Sequence, residues 1–279
     1  MQFSVASQLF YEVREPTVFI LNVEAAALRN QKILSENLVL SPAVALDRHV
    51  LDGGTRLVRA VVPPGPFEVA YLATVDLEMH DADPSSVEET PVADLPLEVV
   101  PFLNPSRYCQ SDMLARFAHR EFGHLPKGHQ RVTAICNWIY EHVDYLSGST
   151  NAETSAYDTM VQRAGVCRDF AHLGIAFCRA LAIPARFASC YAWQLNPPDF
   201  HAVFECYLNG QWYLFDPTRK AALQGLVRIG VGRDAADAAF ATIHGAAEMT
   251  GMTVTIDPVP EAEGEAPVAE PTIRAVGIA

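Results

Sequence analysis

The dipeptide Asn209-Gly210, set between Tyr207-Leu208 and Gln211-Trp212, constrains the fold more than any other short segment of the chain. A two-residue hairpin loop of type I′ needs positive φ at both central positions, which Asn and Gly tolerate, and the flanking apolar and aromatic residues read as strands. The turn predicts a register in which Leu208 faces Gln211, Glu205 faces Leu214, Val203 faces Asp216 and His201 faces Thr218. Side chains alternate between faces, so His201 and Asp216 fall on one face as diagonal neighbours, about 7–8 Å apart at Cα and bridgeable by their side chains. An imidazole beside a carboxylate is expected from the turn alone.

Cys167 supplies a third member. It lies in AGVCRDFAH, where a glycine-containing turn opens a helix that buries Phe170, Leu173, Gly174, Phe177 and Leu181 and must stop before Pro184. A helix N-terminus offers unpaired N–H groups and about half a positive charge; both favour thiolate, and a nearby imidazolium adds to the effect. Cys178 lies three turns further on, and Cys190 and Cys206 lie in strands, so none shares that setting. Taken singly, Cys167 reads as a buried helix cysteine, His201 as a core histidine and Asp216-Pro217 as a strand-ending turn. Together they read as a reactive cysteine joined by an imidazole–carboxylate pair. Asp169, in the first helical turn after Arg168, reads as a structural complement to the helix dipole, and His172 as packing.

The rest of the chain divides into unequal parts. FSVASQLFYEV, TVFILNVEA, VALDRHVL, TRLVRAVV and FEVAYLATVDLEM are short apolar runs broken by turn residues, among them Asp52-Gly53 and Pro63-Pro64-Gly65-Pro66. They predict an all-β sandwich domain over 1–80. Residues 81–101 hold six acidic residues, four prolines and no Lys or Arg, the composition of a linker. From 102 to 257 the pattern becomes mixed. Ser111 is placed to cap a helix carrying Met113, Leu114, Phe117, Ala118 and Phe122, and a second helix carries Val132, Ile135, Cys136, Ile139 and Val143. Residues 258–279, with four glutamates and four prolines, predict a mobile acidic tail.

Several classes of function are excluded or disfavoured. The 279 residues carry 20 Lys plus Arg against 33 Asp plus Glu, a formal charge of −13, the wrong sign for binding nucleic acid. No apolar stretch approaches the roughly 20 residues that span a bilayer, and the start lacks a basic region followed by an apolar block, so a cytoplasmic protein with no membrane partner is expected. No CxxC or HExxH occurs, and His119, His124 and His129 lack the spacing of a metal site. Gly230-Val231-Gly232-Arg233-Asp234-Ala235 mimics a dinucleotide fingerprint without a βαβ unit around it. There is no G-x-S-x-G elbow, Walker loop or calcium loop, so no cofactor is expected.

The segments GVCRDFAH and FHAVFECYLNGQWYLFDPTRKA resemble those of the bacterial transglutaminase-like proteins, whose core is a circularly related cousin of papain. The likeness rests on Cys at a helix start, His on a strand 34 residues later and Asp followed by Pro on the next strand, 15 residues further on, and it runs from about Pro101 to Val254. It implies an α+β fold, a papain/transglutaminase-like cysteine-hydrolase core preceded by the β-sandwich. It also implies Cys167 as nucleophile, His201 as general base then acid, and Asp216 as the orienting residue. The expected activity is a protease or amidase acting on a peptide or glutamine-type carboxamide of a peptide or protein substrate through a thioester. The alternatives are a protein-glutamine amine transferase that cross-links, or a non-catalytic interaction module on the same fold. The Cys167 backbone N–H is one expected oxyanion donor, and Tyr157 is the candidate for a second. No oligomeric state is implied.

Overall fold

The computed structural model describes residues 1–260 and 274–278. In chain order the strands β1 (Gln2–Val13), β2 (Thr17–Leu21), β3 (Gln31–Ser41), β4 (Leu46–Val50), β5 (Arg56–Val62), β6 (Gly65–Leu77) and β7 (His80–Ala82) come first. They are followed by α1 (Ser111–Phe122), α2 (His129–His142), β8 (Asp144–Tyr145), α3 (Ala156–Gln162), β9 (Ala164–Gly165) and α4 (Cys167–Ala180). The chain closes with β10 (Ala185–Ala192), β11 (Phe200–Leu208), β12 (Gln211–Phe215), β13 (Leu226–Gly232), β14 (Ala241–His244), β15 (Ala247–Pro258) and β16 (Ala275–Gly277).

Period-two burial makes the N-terminal strands. In β1, Phe3, Val5, Ser7, Leu9, Tyr11 and Val13 turn inward while the residues between them face out or lie half-buried. Two four-stranded sheets result, ordered β15-β1-β6-β3 and β14-β2-β5-β4. Their inner faces meet through aromatic rings: the centroid of Phe19 lies 4.9 Å from Phe67 and 5.0 Å from Tyr11. This is the β-sandwich that the apolar runs predict, with two additions. β3 was not legible, because its burial alternates poorly and its middle residues are exposed. β14 and β15, which the sequence reading assigns to the part after residue 102, instead complete the two N-terminal sheets. β1 sits between β6 and β15 and so uses both of its hydrogen-bonding edges.

The second unit is a four-stranded antiparallel sheet, ordered β12-β11-β10-β13, with helices on one face and the sandwich on the other. On the helix side, Phe204 and Phe187 join Phe177, Phe122 and Ile135; on the sandwich side, Cys190, Val203, Leu214 and Ile229 join Val5, Leu21 and Val58. Gly174 lets α4 lie close to the sheet, since a Cβ there would meet the Phe204 ring at 2.5 Å. The β11–β12 hairpin has the register that the Asn-Gly turn predicts, with Leu208 opposite Gln211 and Glu205 opposite Leu214, and φ is 46° at Asn209 and 81° at Gly210. Ser111 opens α1 as its first helical residue rather than as its cap; Gln110 holds the cap position without a side-chain bond.

Buried polar bonds brace the second sheet and, beside the apolar core, link it to the sandwich. Glu205, fully buried on β11, accepts from Arg228 Nη1 at 2.8 Å and from Arg186 Nε, so one carboxylate ties three strands of the second sheet. Arg228 N–H in turn donates to Gln31 Oε1 at 2.7 Å, and Gln31 Nε2 donates back to the Arg228 carbonyl at 2.7 Å. Tyr191 donates to the Val23 carbonyl at 2.7 Å.

The acidic segment over 81–101 packs rather than dangles. Val87, Leu95 and Val99 are buried, Glu89 pairs with Arg131 at 3.4 Å and bridges to Leu208, and the His129 N–H donates to the Val87 carbonyl. Its hydrophobic residues were masked in sequence by the prolines and acids around them. For the tail, residues 261–273 lie outside the described residues. Residues 275–277 form β16 on β7, and Ala275, Val276 and Ile278 are buried, so the expectation of mobility does not hold there. Among the described residues no helix is long and apolar enough to cross a membrane.

Candidate active site

The turn before α4 sets up the nucleophile position. Val166, extended at φ −116°, precedes Cys167, the first residue of α4, and the buried Asp169 carboxylate reaches back to take the Val166 N–H at 2.9 Å on Oδ2. The same carboxylate accepts from Thr150 Oγ1 at 2.7 Å and, on Oδ1, from Arg168 Nε at 3.1 Å. Asp169 is therefore structural, as its place in the first helical turn suggests, and it also fastens the loop around residue 150 to the helix start. Cys167 is half-buried, whereas the other five cysteines are buried.

His201 sits at the start of β11 and is almost fully buried, and its Nε2 donates to Asp216 Oδ2 at 2.9 Å. Asp216, just past the end of β12, is held in turn by the Thr218 N–H at 2.9 Å and the Thr218 hydroxyl at 2.7 Å, both on Oδ1. Nδ1 of His201 has no hydrogen-bond partner, and the Cys167 sulfur lies near enough to the ring to act on its charge. Burial alone would push the imidazole toward neutrality, but the Asp216 carboxylate and the Cys167 sulfur outweigh it and raise the pKa to about 10. Burial likewise pushes the Asp216 carboxyl up, and His201 and Thr218 more than reverse this, holding it below the ordinary carboxylate range. The three residues singled out in the sequence thus come together: His201 is bonded to Asp216, and it lines one groove with Cys167.

Tyr145 is a neighbour that sequence reasoning missed. Its phenol lies close to Cys167; burial and the nearby sulfur push its pKa up and keep it protonated. β8, which carries it, pairs in parallel with β9 over two residues, setting Tyr145 opposite Gly165, immediately before the helix start. A two-residue ladder leaves no periodicity to read. Tyr157, the candidate from sequence, lies instead on α3, where its N–H donates to Gln110 Oε1 at 3.5 Å, and it does not line the groove beside Cys167. A capping box opens α3: Ser155 Oγ takes the Asp158 N–H while Asp158 Oδ2 takes the Ser155 N–H at 2.9 Å.

His172 is buried with its Nε2 accepting the Ala235 N–H at 3.1 Å, and its ring stacks on Tyr108. Burial depresses its pKa to about 3, so it serves packing as a neutral imidazole. A groove of about 730 Å³ opens over Cys167 and His201, walled by Phe187, Ile229, Ala238 and Phe240.

A cysteine at a helix head, a buried His–Asp pair on a neighbouring hairpin and a groove running past the sulfur define a transglutaminase-like protein. Residues 117–217 match the transglutaminase-like superfamily core, and residues 1–98 match the N-terminal domain of bacterial transglutaminases. A solved structure from Cytophaga hutchinsonii, described as a "Putative Cysteine Protease", is 46% identical, with a TM-score of 0.93 over 100% of this chain and 98% of that one. The chain belongs to the bacterial transglutaminase-like family. Among curated relatives, an uncharacterized protein of Mycobacterium leprae is 32% identical over 130 residues, 41% of this chain and 45% of that protein. One of Mycobacterium bovis is 33% identical over 149 residues, 47% of each. The chain thus spans about half the length of the curated relatives it matches.

Proposed function

We propose that this protein is a cysteine amidase or protease that attacks a peptide or glutamine-type carboxamide, with Cys167 as nucleophile, His201 as general base and then acid, and Asp216 as the group that orients the imidazole. What supports this reading is the buried imidazole, with Nε2 on Asp216 at 2.9 Å and the Cys167 sulfur near enough to help raise its pKa. The thiolate adds to the carboxamide carbon, and the oxyanion that forms is stabilised by the Cys167 N–H and the Tyr145 hydroxyl. Collapse breaks the C–N bond, the imidazolium gives its proton to the departing amine, and a thioester remains. Water then attacks the thioester, losing a proton to His201, and the carboxylic acid leaves as the sulfur regains its negative charge.

The test is to incubate wild type and Cys167→Ala with a glutamine-containing peptide and a labelled primary amine, following ammonia, peptide cleavage and amine incorporation. Cys167-dependent ammonia release or cleavage without incorporation supports the hydrolase. Cys167-dependent incorporation would make the protein an amine transferase instead. Wild type and variant behaving alike would end the enzymatic reading.

A further inference from the structure

The groove over Cys167 has an uneven charge. Apart from the Cys–His pair, the charged side chains lining it are Arg168 and Asp199. The Arg168 charge is already used: Nη2 donates to Asp169 Oδ1 at 2.9 Å and to the Asn151 carbonyl at 2.7 Å, and Nε donates to the same Asp169 oxygen. Asp199 is in the opposite position. Its Oδ1 takes only the N–H of its neighbour Phe200, at 2.7 Å, and the charged group acting on it among the described residues is the His201 imidazole. It is reached by solvent but set against protein, and burial raises its pKa above the ordinary carboxylate value. Asp199 lies two residues before His201 as the chain enters β11, so both side chains face the groove. Around it the lining is apolar, with Phe200, Phe240, Ile243 and Met249 in reach of an aliphatic stem.

An exposed carboxylate at the edge of an apolar groove, whose one charged neighbour among the described residues is the His201 imidazole, is complementary to a long aliphatic chain ending in positive charge. We propose that Asp199 is a specificity residue that binds the lysine- or arginine-type side chain of the peptide whose carboxamide Cys167 attacks, an assignment that rests on the amidase reading above. The cation belongs to the acyl donor rather than to an acceptor amine. An acceptor must present a free lone pair, and pairing with Asp199 favours the ammonium form that lacks one.

Two measurements separate this assignment from the reading beneath it. The first needs no substrate: Cys167 is modified with a cationic (trimethylammonioethyl) and an anionic (sulfonatoethyl) methanethiosulfonate, in wild type, Asp199→Asn, Asp199→Lys and the remote surface control Glu15→Gln. The cation-to-anion rate ratio is expected to fall roughly threefold or more in Asp199→Asn, further in Asp199→Lys, and not in Glu15→Gln. The second compares kcat/KM for glutamine peptides whose neighbouring residue is Lys, norleucine or Glu. Wild type is expected to prefer Lys, and Asp199→Asn to lose that preference, read as the Lys-to-norleucine ratio of kcat/KM so that a common change in Cys167 reactivity cancels. An unchanged reagent ratio overturns the proposal even if peptides are cleaved. So does a preference for Lys that persists in Asp199→Asn. A shifted reagent ratio with no turnover of any peptide supports the cation site and counts against the amidase reading instead.

Discussion

Asp169 takes the backbone N–H of Val166 at 2.9 Å, across the peptide that carries Cys167, and so fixes the direction in which α4 begins. The carboxylate is fully buried and also holds Thr150 and Arg168. Asp169→Ala would leave those donors without their acceptor, and breaking a buried pair of this kind costs about 3–5 kcal/mol. The expected result in urea unfolding is a lowered midpoint with an unchanged slope, and Asp169→Asn, which keeps one acceptor oxygen, should lose less.

Glu205 is the corresponding element within the second sheet. It is fully buried between Arg186 and Arg228; burial alone would raise its pKa, but the two guanidinium groups hold it below the ordinary carboxylate value. Burial pushes Arg186 down to about 10 even with this partner. Glu205→Ala is expected to destabilise by about 3–5 kcal/mol, read as a fall in the thermal midpoint, because two buried cations lose their counter-ion.

Stability should decline on both sides of neutrality, for opposite reasons. His201 has a folded-state pKa of about 10 against an ordinary value of 6.5, so the folded protein binds the extra proton between those values. Its stabilising contribution is full below about pH 6.5 and is lost as pH rises through about 10. His172 and His129 are depressed by burial to about 3 and about 4, so their contribution is present above about pH 6.5 and is lost as pH falls toward those values. Unfolding free energy measured from pH 4 to 10 should therefore show a maximum near neutrality. Asp216→Asn should flatten the alkaline limb, because the carboxylate that raises His201 is gone.

Much of this site was legible because it depends on local chemistry. The Asn209-Gly210 turn has one favoured geometry, and its register holds as far as Phe204 opposite Phe215, which leaves Asp216, fixed by Thr218 just past the ladder, within reach of His201; the glycine-bearing turn before Cys167 marks a helix start in the same way. What escaped was set by long-range pairing. Tyr145 reaches Cys167 through a two-residue parallel ladder with Gly165, and β15 finds β1 across more than two hundred residues. Period-two hydrophobicity says that a segment is a strand without saying which edge it will join. The buried Val87, Leu95 and Val99 were hidden among prolines and acids for the same reason, since each meets its apolar partner only in the tertiary fold.

Tyr145→Phe separates the second oxyanion donor from the nucleophile. Removal of one donor is worth about 3–4 kcal/mol in such sites, so kcat on a carboxamide should fall roughly a hundredfold or more. Alkylation of Cys167 by iodoacetamide, which forms no oxyanion, should change by less than about threefold.

The most direct measurement is the rate of Cys167 alkylation by iodoacetamide at neutral pH in wild type, His201→Ala and Asp216→Ala, with Cys167→Ala giving the background from the buried thiols. An imidazolium held by Asp216 beside the sulfur predicts fast, selective labelling of Cys167 that slows by roughly tenfold or more in His201→Ala and by a lesser factor in Asp216→Ala. Labelling of Cys167 at the same slow rate in all three proteins would contradict the account.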